Sequence, residues 1–213
     1  MVDSVWLREE RRGTAPLTRE RIVAEAVALL DAEGVGRLTM RRLAERLGTG
    51  STTLYWHVDT KDDVVDLALD AIFGEVGLPA SAGDWRGEVT ALLHGWRGAM
   101  LRHPWSARVL GRPLLGPNVL TRTEFLHATL VRAGFAGPAL VAAAYALSNY
   151  VIGSALMEAG SAEEAGERRA ADDLLAHHRA EYPTLAAHGH PSGNDWNDAF
   201  GRGLGYLLDG MRP

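Results

Sequence analysis

The side chains best suited to chemistry are concentrated in one stretch, GTGSTTLYWHVDTK, residues 48–61. Short polar residues (Gly50, Ser51, Thr52, Thr53) precede Tyr55, Trp56 and His57, and the run ends at Lys61, the only lysine among 213 residues. Hydroxyls, a phenol, an imidazole and an ammonium are hydrogen-bonding groups, and nothing in their spacing pairs a nucleophile with a base. Between 37 and 61, five basic residues (Arg37, Arg41, Arg42, Arg46, Lys61) face two acidic ones (Glu45, Asp59), a local charge of +3 on a chain whose net charge is −5. The asymmetry extends further. Residues 1–61 hold ten Arg/Lys and nine Asp/Glu, whereas 62–213 hold twelve and eighteen. A small positive footprint suits a polyanion. A solvated helical face is the competing reading, and charge alone favours it.

Other constellations lead nowhere. Gly48-Thr49-Gly50-Ser51-Thr52 has the composition of a phosphate cradle, but no strand precedes it and the Gly-x4-Gly-Lys-Ser/Thr spacing is missing. His177-His178 and His188-Gly-His190 lack a supporting acidic pattern and read as solvated loop rather than metal ligands. The glycines at 201, 203 and 205 lie inside a helical stripe. No nucleophile elbow, HExxH or paired-carboxylate signature is found. The chain has no cysteine, hence no disulfide and no thiolate site. These readings lead to the expectations of no enzyme activity, no cofactor and no bound metal. No apolar run reaches the 18 or so residues of a membrane span, and the N-terminus lacks a secretory h-region. A cytoplasmic protein with no membrane partner is expected.

The elements that must position the stretch are helices. Residues 1–17 read as a mobile, partly basic arm. Thr18 can cap a helix carrying Ile22, Val23, Ala26, Val27 and Leu30, closed by Gly34. Thr39 can cap a short helix that turns Leu43, Ala44 and Leu47 inward, and Thr60, followed by Asp62 and Asp63, opens another through Val64, Leu67, Ala68 and Ile72. Apolar helical periodicity returns at 84–102, 118–133, 138–159 and 195–211. The 138–159 segment is apolar almost all round and is expected to be buried on most sides. Gly201, Gly203 and Gly205 each cost about 1 kcal/mol of helix propensity against Ala, so another helix should approach closely there. Residues 160–194 read as a long mobile connection. The fold class is all-α, in three parts: the arm (1–17), a three-helix helix-turn-helix unit (18–63) and a regulatory, dimer-forming unit (64–213).

One more short helix fits between those capped by Thr39 and Thr60, and the opening stretch fills it. Ala44 is small where two helices cross, Gly48 permits the turn, and Leu54 and Val58 are inward anchors. That is a helix-turn-helix. A helix entering the major groove needs short side chains at its N-terminal end so that the backbone can approach base edges, and Gly50, Ser51, Thr52 and Thr53 supply them. Tyr55 and His57 can then reach phosphates, with Lys61 adding positive charge.

At this point the chain resembles the tetracycline-repressor (TetR) family of bacterial transcription regulators. The resemblance is carried by residues 18–34, by LTMRRLAERLG (38–48), and above all by TLYWHV (53–58) with Lys61. Further landmarks are Leu78-Pro79, Trp85, Arg112-Pro113, Gly134-Phe135 and Gly153. The resemblance implies that Arg41 reads a guanine and that Thr39 contacts phosphate. It likewise implies that Ser51, Thr52 and Thr53 face bases, with Tyr55, Trp56, His57 and Lys61 on backbone and groove wall. Ser51-Thr52 replaces the Gln-Pro of the tetracycline repressor, so that operator does not transfer. Val109 or Leu110 aligns with its magnesium-binding histidine, so a metal-chelated tetracycline is not expected.

A ligand-responsive repressor follows as an expectation. It would bind a palindromic double-stranded DNA operator as a homodimer and be released by a small-molecule effector. The rivals are a helical enzyme with an incidental basic segment and an architectural DNA binder without effector. Leu92, Trp96 and Met100 share one helical face, which read alone is plain core. The resemblance makes it a cavity wall, completed by Thr123, Leu126 and His127 from the next long helix and Ala144, Tyr145 and Ser148 from the 138–159 helix. Such a pocket is apolar, with an aromatic wall and few polar handles.

Overall fold

A computed structural model describes residues 17–80, 83–110, 115–163, 165–189, 193 and 195–213, the side chains of 161–163 and 165 excepted. Arm residues 1–16, the Arg112-Pro113 landmark and His190 lie outside this set. Among the described residues every regular element is helical. The N-terminal unit comprises α1 (Arg19–Glu33), α2 (Met40–Arg46) and α3 (Ser51–Leu54), followed by α4 (Lys61–Gly74). Then come α5 (Trp85–Arg102), α6 (Pro117–Arg132), α7 (Gly137–Glu163), α8 (Ala165–His177), α9 (Pro183–His188) and α10 (Trp196–Gly210). Single 3₁₀ turns sit at Val35–Arg37 and Ser106–Arg108.

Local chemistry sets the ends of the first helices. The Thr18 and Thr39 hydroxyls accept from the backbone N–H groups of Arg21 (3.3 Å) and Arg42 (3.1 Å). Thr60 and Asp63 form a full capping box, the carboxylate accepting from the N–H of Thr60 at 3.0 Å and the hydroxyl from that of Asp63 at 3.1 Å. Gly34 ends α1 at φ +75°, and Gly48 makes the α2–α3 turn at φ +67°, a left-handed conformation that a Cβ would strain.

Leu17 is buried, so packing begins one residue before the expected helix unit. One apolar core runs from Ile22, Leu43 and Leu54 through α4 to Leu92, Leu126, Leu147 and Phe200. Helix α4 serves both ends of it. Val64 and Ala68 belong to the core shared with α1, while Phe73 meets Trp96 of α5 edge-on, with ring centroids 6.3 Å apart. The boundary expected at residue 63 therefore falls inside a continuous helix.

Three expectations need correction. Residues 160–194 are not one long connection: they include the end of α7, then α8 and α9. Ala, Glu, Arg and Leu, all good helix formers, fill α8, and Pro183 opens α9 at a position where its missing N–H costs nothing. Helix α7 is not buried on most sides, for Val141, Tyr145, Leu156 and Met157 are exposed. Among the described residues, no other element of the protomer covers that face. Its Gly137–Gly160 portion is also long and apolar enough to cross a membrane by length and composition, because alanines and glycines extend the apolar run between the larger residues.

The glycine pattern of α10 has a specific cause at Gly203. A Cβ there would lie 2.1 Å from the Tyr150 hydroxyl, which instead donates to the carbonyl of Phe200 at 2.9 Å while its ring stacks on Phe200. Gly201 and Gly205 meet no such neighbour.

Candidate nucleic-acid interface

The helix-turn-helix is assembled by inward anchors. Ala44 (α2), Leu54 (α3) and Val58 are buried, and the N–H of Thr49 donates to the carbonyl of Ala44 at 3.0 Å across the turn. This packing pushes Gly50, Ser51 and Thr52 to the surface at the open end of α3, with Thr53 half-buried behind them. Tyr55 and Trp56 follow as exposed aromatic side chains, and Trp56 is 60% exposed. Such a ring is normally inside a protein or against a partner.

Arg41 projects from α2 beside them, its side chain 87% exposed and held along the helix by Glu45 at 2.9 Å. An exposed ion pair of this kind is worth little and exchanges readily for a stronger acceptor. Thr39 is exposed, but its hydroxyl is already used as the cap of α2. Its second lone pair stays available.

Two expected contacts are modified by tertiary structure. The Lys61 ammonium donates to the carbonyl of Val35 at 2.9 Å, fastening the start of α4 to the α1–α2 connection, so only part of its donor capacity faces outward. His57 is half-buried, and its Nε2 is shielded without a partner among the described residues, so that nitrogen is not presented at the surface. The positive footprint is also smaller than the count of +3. Arg42 pairs with Glu33 at 2.5 Å, Arg46 with Glu25, and Arg37 with Glu33 at 3.8 Å, all to α1 acids outside the 37–61 window. Of these arginines, Arg41 is the most exposed.

The unit is docked to the rest through His103. Its Nδ1 lies 2.8 Å from a carboxylate oxygen of Asp31 (α1) and its Nε2 3.1 Å from one of Glu75, just past α4, while the Trp105 indole N–H donates to Asp31 at 2.7 Å.

The residues expected to line an effector pocket separate into groups. Leu92, Met100 and Leu126 are fully buried core, and Ala144 is buried on α7. Thr123, His127 and Ser148 are half-buried, and His127 Nδ1 sits 2.8 Å from the carbonyl of Thr123, one turn earlier on α6. Tyr145 is corrected. It is 69% exposed, on the outer row of α7 away from the core, because Ala144 and Leu147 take the inward positions. Trp96 is buried, yet its indole N–H has no partner among the described residues, and the Ser106 hydroxyl, fully buried in the 3₁₀ turn after α5, has none there either. Sequence reading missed Ser106, since a single serine in a loop gives no periodic signal. Val109 and Leu110 are half-buried against the core. Grooves among the described residues lie elsewhere, including about 660 Å³ between α1, α4 and Asn118, and about 320 Å³ between α7 and α10. Of the histidines weighed as metal ligands, His177 closes α8, with Nδ1 2.7 Å from the carbonyl of Asp173, and His178 follows it beside Glu181.

Comparison with known proteins follows the same division. The family model described as "Bacterial regulatory proteins, tetR family" matches residues 22–68, and "Tetracyclin repressor-like, C-terminal domain" matches 78–213. The chain is 49% identical over 214 residues to an HTH-type transcriptional regulator of Saccharopolyspora erythraea, covering 98% of this chain and 91% of the relative. It is 34% identical to the HTH-type transcriptional repressor DrrR1 of Streptomyces coeruleorubidus, covering 96% and 81%. Among solved structures, ActR of Streptomyces coelicolor in complex with actinorhodin superposes with a TM-score of 0.81 at 32% identity, over 93% of this chain and 96% of that one.

Proposed function

The chain belongs to the tetracycline-repressor family of bacterial transcription regulators, and from that premise we propose that it is a dimeric repressor of a palindromic operator, released by a small aromatic effector. The observation that carries the reading is the surface of α2 and α3. Arg41, Ser51, Thr52, Tyr55 and Trp56 are exposed together on a packed helix-turn-helix. Short side chains admit the α3 backbone to the major groove, the guanidinium reads N7 and O6 of a guanine, and the aromatic pair braces the groove wall.

Selection of duplexes from a random pool by the full-length protein tests it. The expected product is an inverted repeat with half-site centres about 34–36 Å apart, one turn of DNA. Arg41→Ala should cost about 1–3 kcal/mol and relax preference at one base pair per half-site. Lys61→Ala should weaken all sequences alike and lower the salt slope by about one, through the donor capacity left over from Val35. An unchanged sequence preference in Arg41→Ala sinks the base-reading role.

For the effector, the supporting observation is the pair of buried groups without partners, Trp96 Nε1 and Ser106 Oγ. An unpartnered buried donor costs about 1–3 kcal/mol, and a ligand acceptor would satisfy it. The indole also touches Phe73 of α4, so a ligand at Trp96 pushes on the helix that carries the reading head. A hundredfold preference for a conformer with misplaced recognition helices shifts the equilibrium by about 2.7 kcal/mol. ActR, described in complex with actinorhodin, motivates a polycyclic aromatic probe, and no metal is required by the residues at 109–110.

Actinorhodin titrated into the protein–operator complex is expected to release DNA equally with and without EDTA. Trp96→Phe keeps the bulk and removes the N–H. It should blunt release about tenfold while ligand-free operator affinity stays within about twofold. Release that needs magnesium, or a Trp96→Phe protein that responds normally, rules out this pocket.

A further inference from the structure

We propose that Asp70 and Arg122 form a reciprocal end-cap that locks α4 to α6 and so sets the angle at which α4 holds the recognition helix on DNA. The proposal rests on the operator-binding reading above and names the joint that makes that binding geometry stiff.

Helix α6 begins after Gly116, which has no side chain to cap it, and the missing cap comes from another helix. Asp70 of α4, 4% exposed, accepts from the N–H of Val119 at 3.0 Å and from the Asn118 amide at 2.9 Å. Its carboxylate thus occupies the positive end of α6, where a local Ser or Asp would ordinarily sit. The approach is close enough to exclude any side chain at 116, since a Cβ there would stand 2.2 Å from Asp70 Oδ1.

The far end of α4 is treated in kind. Its last carbonyls have no intrahelical donors. Arg122 of α6, 9% exposed, caps the last of them, donating through Nη2 to Gly74 (3.0 Å), and also holds the chain just past the helix through Nε to Val76 (2.9 Å), with Nη1 on the Asn118 carbonyl at 3.1 Å.

Each helix therefore ends on a charged side chain of the other. Local caps would satisfy the same backbone groups and leave the helices free to slide. Exchanged caps do not, because any rotation of α4 against α6 strips both ends at once and leaves buried charges unpaired. Helix α4 has 14 residues, about 21 Å of lever at 1.5 Å per residue, so a tilt of about 5° at the joint moves its N-terminal end by about 2 Å. That end carries the capping box and Lys61, which fastens it to the α1–α2 connection. Two operator half-sites in fixed register do not tolerate much displacement of that size.

The test uses the full-length protein and a duplex taken from the selection above. Asp70→Asn and Arg122→Met are each expected to weaken operator binding about tenfold, and the double variant by no more than either alone, because the caps act as one joint. Val89→Ala, a buried truncation on α5, matches the loss of thermal stability without touching the joint and should leave binding within about threefold. The chain has no cysteine, so Ala28→Cys on the exposed side of α1 takes a single spin label per protomer. The label–label distance across the dimer should be narrow in the parent and broad in the joint variants. If a charged-residue variant does not fold, Asn118→Ala, which keeps both charges and removes the amide donor to Asp70 together with the longer contact from Arg122 Nη1 (3.4 Å), is read in its place, with a loss of about threefold. Joint variants with parental affinity and distances, or losses that merely follow stability as in Val89→Ala, overturn the proposal. A parent that selects no duplex overturns the operator reading instead, and the label distances then decide the joint alone.

Discussion

Tyr206→Glu should convert the protein to a monomer and lower operator affinity by about a hundredfold or more. Tyr206 is 73% exposed on α10, one heptad after Ala199, and Ala199 lines the groove of about 320 Å³ between α7 and α10. The facing row on α7 runs Val141, Tyr145, Asn149, Gly153 and Met157 in steps of four, with Val141 66%, Tyr145 69% and Met157 63% exposed. Large apolar side chains beside small ones are what helix–helix packing needs, and an apolar face of this size is seldom left in water. In the dimer proposed above, a second copy across a two-fold axis would cover it and make a four-helix bundle. A carboxylate at 206 would then be buried unpaired, a cost of several kcal/mol. Losing the dimer loses the tethering of the second half-site, which multiplies affinity by about 10²–10⁴. Sedimentation at micromolar concentration and anisotropy on the selected duplex measure the two effects. A Tyr206→Glu protein that stays dimeric with parental affinity removes α10 from the interface.

Arg97→Met should be the most damaging single truncation of charge in the regulatory half, at about 3 kcal/mol. Arg97 of α5 is 4% exposed. It donates to Asn197 of α10 at 2.8 Å, pairs with Glu158 of α7, and lies over the Phe200 ring at 4.9 Å. One side chain thus joins three helices, two of them in the proposed dimer face. Glu158 is one-quarter exposed, so water recovers part of its loss, which keeps the figure at the lower end of the range for broken buried pairs. The melting temperature should fall by roughly 6–12 °C for a chain of this size. Arg97→Lys should recover less than half, because an ammonium cannot serve both acceptors in the plane that stacks on Phe200. A loss below about 1 kcal/mol in urea unfolding would mean that the site relaxes around the missing fork.

How far each feature could be read in advance follows from the range of the interactions that set it. Thr18, Thr39 and Thr60 cap groups three residues away, and Gly34 and Gly48 need only their own φ angles, so the first four helices and the turn of the reading head were legible as local chemistry. The 3.6-residue period likewise placed α5, α6, α7 and α10. It failed at α8 and α9, where alanine, glutamate and arginine favour helix without marking a buried face. A period also tells how apolar a face is without telling what covers it. Helix α7 was therefore read as interior, and Tyr145 as a pocket residue, although one protomer leaves both Tyr145 and Val141 in solvent.

The sequence by itself determined an all-helical chain with a helix-turn-helix at 39–58, an exposed reading surface and the absence of cysteine chemistry. Tertiary structure decided which charges remain to meet DNA. Arg42 and Arg46 turn to Glu33 and Glu25, Lys61 is partly spent on Val35, and His57 folds inward, leaving Arg41 foremost. It also decided the exchange of caps between Asp70 and Arg122 and the placing of Arg97 among three helices. The reason is one of distance along the chain. Caps and turns join residues a few positions apart and are written in local order, whereas these pairs span 9 to 100 residues and exist only once packing has brought their helices together.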